Sequence, residues 1–349
     1  MRVVFILDSY NKKSGSFYSV VNNLVKYLLK KNIKVNVLTS DLLENNKKIF
    51  IDLISRAEIC HFFGGWSFFH IRSFFIATGL KKVRIIHPMG FYDPWALKQK
   101  MLKKKIAWYF YQKRILSMAD LIHCASDAEK KNLLKLNKDF KVKVLPFGVS
   151  NNFIKKKKIK KKLNKKVIFF SRLHKVKGID DLIKAWNQLN NKDWKLDVVG
   201  PKDNNTFYKK IIKLSNKNSW GNVRFLKPIF SDQEKFKLFD RYDFLLLPSK
   251  SENFGMVILE SLARGLPVLT TTNTPWQSIK KYNAGWVISN DYSSLVKAIN
   301  KIFYFNEKKF NIKSNNAINL AKNYKLNLII KKYLKVYIQL IAIKQGTRF

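Results

Sequence analysis

At 349 residues the chain is long enough for two domains, each with a full core, and its 46% hydrophobic content excludes a disordered polymer. The formal charge is +45, from 68 Lys and Arg against 23 Asp and Glu. Such a balance suggests a nucleic-acid binder, yet the lysines are spread over nearly every surface, often beside Asn and Ile, and no binding motif accompanies them. That leaves a compositional bias toward Lys, or an adaptation to an anionic surface such as a membrane. Cys60 and Cys124 form no metal or redox spacing and suit a reducing compartment. The apolar run in MRVVFILDSY is too short for a signal peptide, and no window approaches 18 consecutive apolar residues. A cytoplasmic protein is expected.

In chain order, Arg2 to Leu7 reads as an apolar strand and Asp8 to Ser16 as a polar loop. A helix with Val20, Val21, Leu24, Val25 and Leu28 on one face follows, then a strand at Ile33 to Leu38. This is the opening β-α-β of a doubly wound domain. Further strands are expected at Ala57 to Phe63 and from Val83 into the loop His87-Pro88-Met89-Gly90. His87, at a strand's carboxyl end, is the general-base or positioning candidate on this side. Asp93-Pro94-Trp95 starts a helix, Pro suiting the first turn.

Leu97 to Met118 then reads as one long basic amphipathic helix. Packing of its apolar face, with Lys103, Lys104 and Lys105 in water, together with a weak contact to an anionic bilayer at the membrane's inner face, is expected. A strand at Asp120 to Ser126, a helix to Leu136 and a strand at Val142 to Leu145 lead to the turn Pro146-Phe147-Gly148-Val149. Residues 1–149 are assigned to a first domain and 150–166, with the run Lys155 to Lys158, to a solvated linker.

The second domain, 167–325, opens with a strand at Val167 to Phe170 and the run Ser171-Arg172-Leu173-His174-Lys175-Val176-Lys177-Gly178. Arg172 offers a planar fork and Lys177 a compact charge, both just past a strand end, where a departing diphosphate gathers negative charge. A helix from Asp180 to Leu189, strands at Trp194 to Val199 and Val223 to Leu226, and a helix from Glu234 to Phe239 follow. Phe244 to Leu247 is an apolar strand stopped by Pro248. A helix from about Gly255 to Arg264 ends on Gly265 as a C-cap glycine would end it, and Pro267 to Thr271 begins the next strand. The backbone N–H groups of Asn253, Phe254, Gly255 and Met256 lie at that helix's N-terminus, where anions and hydroxyls are favoured. Glu252 and Glu260 flank them with E-x7-E spacing, and carboxylates accept paired hydrogen bonds from sugar hydroxyls. The tail, 326–349, is amphipathic between Leu328 and Ile343.

The stretch from Phe244 to Trp276 resembles the donor-site signature of the group-1 retaining glycosyltransferases (family four) of the GT-B fold. Pro248-Ser249, Glu252, Phe254-Gly255 and Glu260 carry the match. Arg172-Leu173 with Lys177-Gly178 is similar to the same family's Gly-Arg-Leu…Lys-Gly motif, with Ser171 in place of the first glycine. The run from His87 to Trp108 is similar to a subgroup that builds surface polysaccharides, including lipopolysaccharide. The amino-terminal loop carries one glycine, Gly15, where the family usually has a pair beside the donor phosphate.

The resemblance implies two Rossmann-like domains facing across a cleft, with the last helix crossing back to the first. It implies transfer of a hexose from a UDP- or GDP-sugar, with retention, to a saccharide or lipid-linked acceptor. Glu252 would hold the donor sugar's hydroxyls and Glu260 the ribose hydroxyls, while Arg172 and Lys177 would neutralise the diphosphate. Pro228 and Ile229 would wall the nucleobase. No Asp-x-Asp pair occurs in the sequence, so metal independence is expected, with neither metal nor cofactor needed. A sugar-nucleotide epimerase or phosphorylase of the same architecture is the alternative within enzymology. No nucleic-acid partner is expected.

Overall fold

The structure, a computed structural model, describes residues 1–11, 16–99, 101–154, 162–218 and 220–346. Gly15 and the run Lys155 to Lys158 therefore lie outside the described residues. The chain divides into two compact units, Met1–Gly148 with Leu326–Phe349, and Val149–Lys325.

In the first unit a six-stranded parallel sheet contains β1 (Arg2–Leu7), β2 (Lys34–Leu38), β3 (Ile59–Phe63), β4 (Val83–His87), β5 (Leu121–Cys124) and β6 (Val142–Val144), in the order β2-β1-β3-β4-β5-β6. β3, β4 and β5 are buried along their whole length, as parallel strands covered on both faces must be. Phe50, Phe62, Phe74, Ile86, Ile122 and Leu133 share one of the cores beside this sheet. The helix Leu326–Lys344 belongs to this unit and buries Ile329, Ile330, Tyr333, Val336 and Tyr337.

The expected single helix over 97–118 is broken. Pro94–Lys98 is a short helix, Gln99 is extended (φ −78°, ψ 126°), and Met101–Ala107 is helical again. Trp108–Gln112 then widens into a π-turn before the helix Lys113–Met118. Gln112 explains the widening. It is buried, accepts from the Tyr92 hydroxyl (2.8 Å) and donates to the Gly65 carbonyl, which pulls the turn onto the domain.

In the second unit another six-stranded parallel sheet contains β7 (Lys166–Phe170), β8 (Lys195–Val199), β9 (Val223–Leu226), β10 (Phe244–Leu247), β11 (Val268–Thr271) and β12 (Gly285–Ile288), in the order β12-β11-β10-β7-β8-β9. The first strand, β7, therefore sits between β8 and β10, and the winding reverses between β7 and β10. Ligands of open α/β sheets bind beyond strand carboxyl ends at such a reversal. The described ends of 150–166 are packed rather than solvated. Phe153 and Leu163 are buried, Arg264 donates to the Phe153 carbonyl (3.2 Å), and the Leu163 N–H meets Glu307.

Candidate active site

The residues that follow β7 and β10 come together at the reversal. The loop after β7 zips to the loop after β8, the Ser171 N–H donating to Val199 and the Leu173 N–H to Pro201. Arg172 thereby meets Asp203 (Nη1 to Oδ1, 3.1 Å), and His174 Nε2 lies 3.6 Å from the same carboxylate. His174 Nδ1 accepts from the Val176 N–H and caps the single turn Lys175–Lys177. That turn ends on Gly178 at φ +70°. A Cβ there would stand 2.1 Å from the Pro248 carbonyl oxygen, so only glycine allows the loop to close on β10. The Lys250 N–H completes the contact by donating to Val176 (2.7 Å).

Closing the loop carries Lys177 to Glu252. Its Nζ donates to Glu252 Oε1 at 2.6 Å, and the Ser249 hydroxyl donates to the same oxygen at 3.2 Å. Both side chains are largely buried, unlike Arg172, whose side chain is 55% exposed. In this state each cation assigned to the diphosphate rests on a carboxylate.

Glu252 leads into Gly255 and the helix Met256–Ala263. Gly255 adopts φ +77° at the helix start, where a Cβ would press on Ile258 Cδ1 (3.1 Å) and Trp276 Nε1 (3.3 Å). Trp276 Nε1 donates to the Phe254 carbonyl, and the Phe254 ring packs on Trp276 and Tyr324. Phe254 and Met256 are therefore buried side chains, and what this segment can offer a ligand is backbone N–H groups at a helix start. Gly265, at φ +75°, closes the helix, with the Leu266 N–H returning to Ser261.

Glu260 is buried on the same helix, one turn and more along. Its Oε1 accepts from Lys235 Nζ at 2.7 Å, and Lys235 also reaches Asp232 at 3.0 Å. Burial raises the Glu260 carboxyl above its ordinary value, and the Lys235 ammonium opposes that rise. Lys235 belongs to the helix Asp232–Phe239, which follows directly on the segment holding exposed Pro228 and half-buried Ile229. Among the described residues, no group of three His, Cys, Asp or Glu side chains could hold a metal ion.

His87 is not at an open mouth. It is wholly buried, its Nδ1 lies 2.7 Å from the His123 carbonyl, and the rings of Phe63, His123 and Phe147 surround it. Burial pushes its pKa down to about 4, so it is neutral near pH 7, and its Nε2 is buried without a partner. The expected general base is thus a structural histidine tying β4 to β5. The reason is local: Glu129 holds the Gly90 N–H (2.8 Å) and the Ala125 N–H (2.7 Å), drawing the loops after β4 and β5 together.

Behind His87 runs a buried network. Tyr337 Oη lies 2.8 Å from His61 Nδ1, His61 Nε2 3.1 Å from His123 Nδ1, and His123 Nε2 2.6 Å from the Leu145 carbonyl. One set of neutral tautomers satisfies all three bonds: Tyr337 donates to His61, His61 to His123, and His123 to Leu145. Burial drives His61 and His123 well below the ordinary imidazole value.

Sequence reasoning missed Asp203, Lys235 and, in the first unit, a group at the reversal between β1 and β3. There the Ser67 hydroxyl donates to Asp8 (2.5 Å) and His70 stands 3.4 Å from the same carboxylate. Burial alone would raise the Asp8 carboxyl, but bonds from His70 and Ser67 hold it below its ordinary value. Asp8 follows β1 directly and Asp203 follows β8 after Gly200-Pro201-Lys202, a usable signal; nothing around Lys235 in the sequence marks it.

The fold is that of the GT-B glycosyltransferases. A crystal structure of Anabaena HepE with UDP and glucose superposes with a TM-score of 0.74 at 17% identity, covering 97% of this chain and all of that one. WaaG, described as a glycosyltransferase involved in lipopolysaccharide biosynthesis, does so with 0.73 at 16% identity, covering 96% of this chain and 99% of that one. Residues 150–320, which hold Arg172, Lys177, Glu252 and Glu260, match the model of the family described as glycosyl transferases group 1. The Staphylococcus aureus capsular polysaccharide biosynthesis glycosyltransferase CapM is 23% identical over 92% of this chain and 94% of its own length. An uncharacterised glycosyltransferase of Haemophilus influenzae is 24% identical over 54% of each chain. The chain thus spans about half the length of that relative, and 36% of a Mycoplasma mobile glycogen synthase to which it is 29% identical.

Proposed function

We propose that this protein transfers a hexose from a UDP- or GDP-sugar to a saccharide or lipid-linked saccharide, with retention of configuration, in the assembly of a cell-surface polysaccharide. The pairing of Lys177 with Glu252 at 2.6 Å, beside Arg172 on Asp203, carries the reading. Two cations, each on its own carboxylate, stand in the loops that follow the strands where strand order reverses. A nucleotide diphosphate offers Arg172 and Lys177 a stronger anion than either present partner. As Lys177 turns to the phosphate, Glu252 is released to accept hydrogen bonds from the donor sugar's hydroxyls. The acceptor oxygen bonds to the anomeric carbon as the bond to the diphosphate breaks, the acceptor's proton passes to the departing phosphate oxygen, and the charge that gathers on that phosphate is met by the same two cations. The N–H groups of Asn253 to Met256 add a helix start on that side. Glu260 takes the ribose hydroxyls and the Pro228–Ile229 segment the base. CapM supports the polysaccharide assignment, and the HepE complex supports a UDP-sugar donor.

Arg172 and Lys177 supply the charge that a metal supplies elsewhere, so the reaction runs without one. The protein works in the cytoplasm, at the membrane's inner face. Met101, Leu102, Ile106, Tyr109 and Phe110 are exposed, Leu102 at 74% and Phe110 at 81%, and no acidic residue occurs between 94 and 119. Trp108 and Tyr111 instead pack against the domain core. Among the described residues no helix is long and apolar enough to cross a membrane, so the contact is peripheral. The test is to supply UDP- and GDP-hexoses with extracted lipid-linked acceptors and to read the new anomeric centre by NMR. Retention supports the reading; an inverted product removes the assigned stereochemistry.

A further inference from the structure

Lys235 occupies a place that is costly for a cation. It is 5% exposed, and it lies in the first turn of the helix Asp232–Phe239, where the helix dipole disfavours positive charge. A buried ion pair contributes little to stability, because the desolvation of both partners offsets their attraction. Yet Lys235 touches Glu260 Oε1 and Asp232 together, while Glu260 Oε2 accepts no hydrogen bond among the described residues. The helix carrying Lys235 is continuous with the Pro228–Ile229 segment.

We propose that Lys235 is a positioning residue for the nucleotide end of the donor site: it fixes Glu260 through Oε1, as a carboxylate, so that Oε2 faces the donor's ribose hydroxyls. The inference rests on the reading that Glu260 holds the ribose. Without the ammonium, a carboxyl in this buried place takes up a proton, and a carboxylic acid is a poor acceptor for two hydroxyls. Lys235 touches no reacting atom, so its loss weakens donor binding and leaves turnover at saturating donor within about threefold.

Isothermal titration calorimetry of UDP against 2′-deoxy-UDP, and of GDP against 2′-deoxy-GDP, tests this on the full chain and its variants. The native protein prefers one ribo form by about tenfold or more, the size expected for a hydrogen bond to a charged group. Glu260→Gln and Lys235→Met each reduce that preference to about twofold, and Lys235→Arg restores most of it. In Lys235→Met the preference returns as pH rises and Glu260 loses its proton, a behaviour that a merely structural lysine would not produce. Lys235→Gln, which keeps a donor toward Glu260 without the charge, reads out the same loss if Lys235→Met does not fold. A native-like preference in Lys235→Met or Lys235→Gln at every pH, with the preference lost in Glu260→Gln, overturns the role of Lys235 and leaves the ribose reading standing. No ribose preference in the native protein, no binding of either diphosphate, or an unchanged preference in Glu260→Gln, overturns the ribose reading and the inference with it.

Discussion

The two units hold their ionisable clusters in different places. In the loops beyond β7, β8 and β10, Arg172 pairs with Asp203 and Lys177 with Glu252. Within β3, β4 and β5, His61, His87 and His123 are neutral, wholly buried and bonded to Tyr337, to one another or to backbone carbonyls. The second unit thus carries these ion pairs in loops past the strands, while the first unit buries a histidine network inside its strands and keeps Asp8, with Ser67 and His70, past β1. The proposed donor chemistry uses the ion pairs; the histidine network meets Tyr333 and Tyr337 of the helix Leu326–Lys344.

The largest way to break this contrast is to remove a cation from the second unit. Arg172→Ala and Lys177→Ala are each expected to lower turnover about a hundredfold, roughly 3 kcal/mol of lost charge stabilisation, with thermal unfolding unchanged. Steady-state release of nucleoside diphosphate measures it, and near-native rates in either variant would remove that residue from the mechanism.

The histidines of the first unit are expected to act on stability instead. His87 titrates at about 4 when folded and near 6.5 when unfolded, so the unfolded chain binds the extra proton. The stability is fully present above about pH 6.5 and is lost as pH falls toward 4, by about 3 kcal/mol for this one group. His61 and His123 shift in the same direction and steepen the loss. Urea unfolding at pH 7.5, 5.5 and 4.5 checks the slope; a flat profile would mean these imidazoles are not buried neutral.

A smaller effect sharpens the comparison at the surface of the first unit. Changing Lys103, Lys104 and Lys105 to Gln is expected to weaken co-sedimentation with anionic vesicles, the exposed Lys103 and Lys105 contributing about 1 kcal/mol each and Lys104, whose ammonium donates to the Ala96 carbonyl, less. Changing Leu102 and Phe110 to Ser should weaken it as well, whereas neutral vesicles should bind poorly throughout. Equal binding to both vesicle types would assign the lysines to composition alone. The smallest expected effect is none: activity is unchanged by EDTA. Loss on chelation that manganese or magnesium restores would transfer the diphosphate's charge to a metal.

The fold was legible because buried parallel strands such as Phe244 to Leu247 are uninterrupted apolar runs closed by Pro or Gly. Arg172, Lys177 and Glu252 were singled out by their motif spacing in loops past apolar strands, whereas the carboxylate partner of Arg172, Asp203, lies past a different strand and carried no such spacing. The π-turn at Trp108–Gln112 was not, since the bond from Gln112 to Gly65 joins residues far apart in sequence. His87 misled for a related reason. Its position at a strand end is what exposes a base in many α/β enzymes, but Glu129, from another helix, closes the loop above it. Lys235 was invisible among 68 basic residues until burial singled it out.

The central claim is that the second unit holds a nucleotide-sugar site built on Glu252 and its cations. Incubating the native protein and Glu252→Gln with a panel of UDP- and GDP-sugars, and measuring nucleoside diphosphate released, tests it most directly. The account predicts release from at least one donor by the native protein and a loss of about a hundredfold in Glu252→Gln. No release from any donor, or equal release by the two proteins, would contradict it.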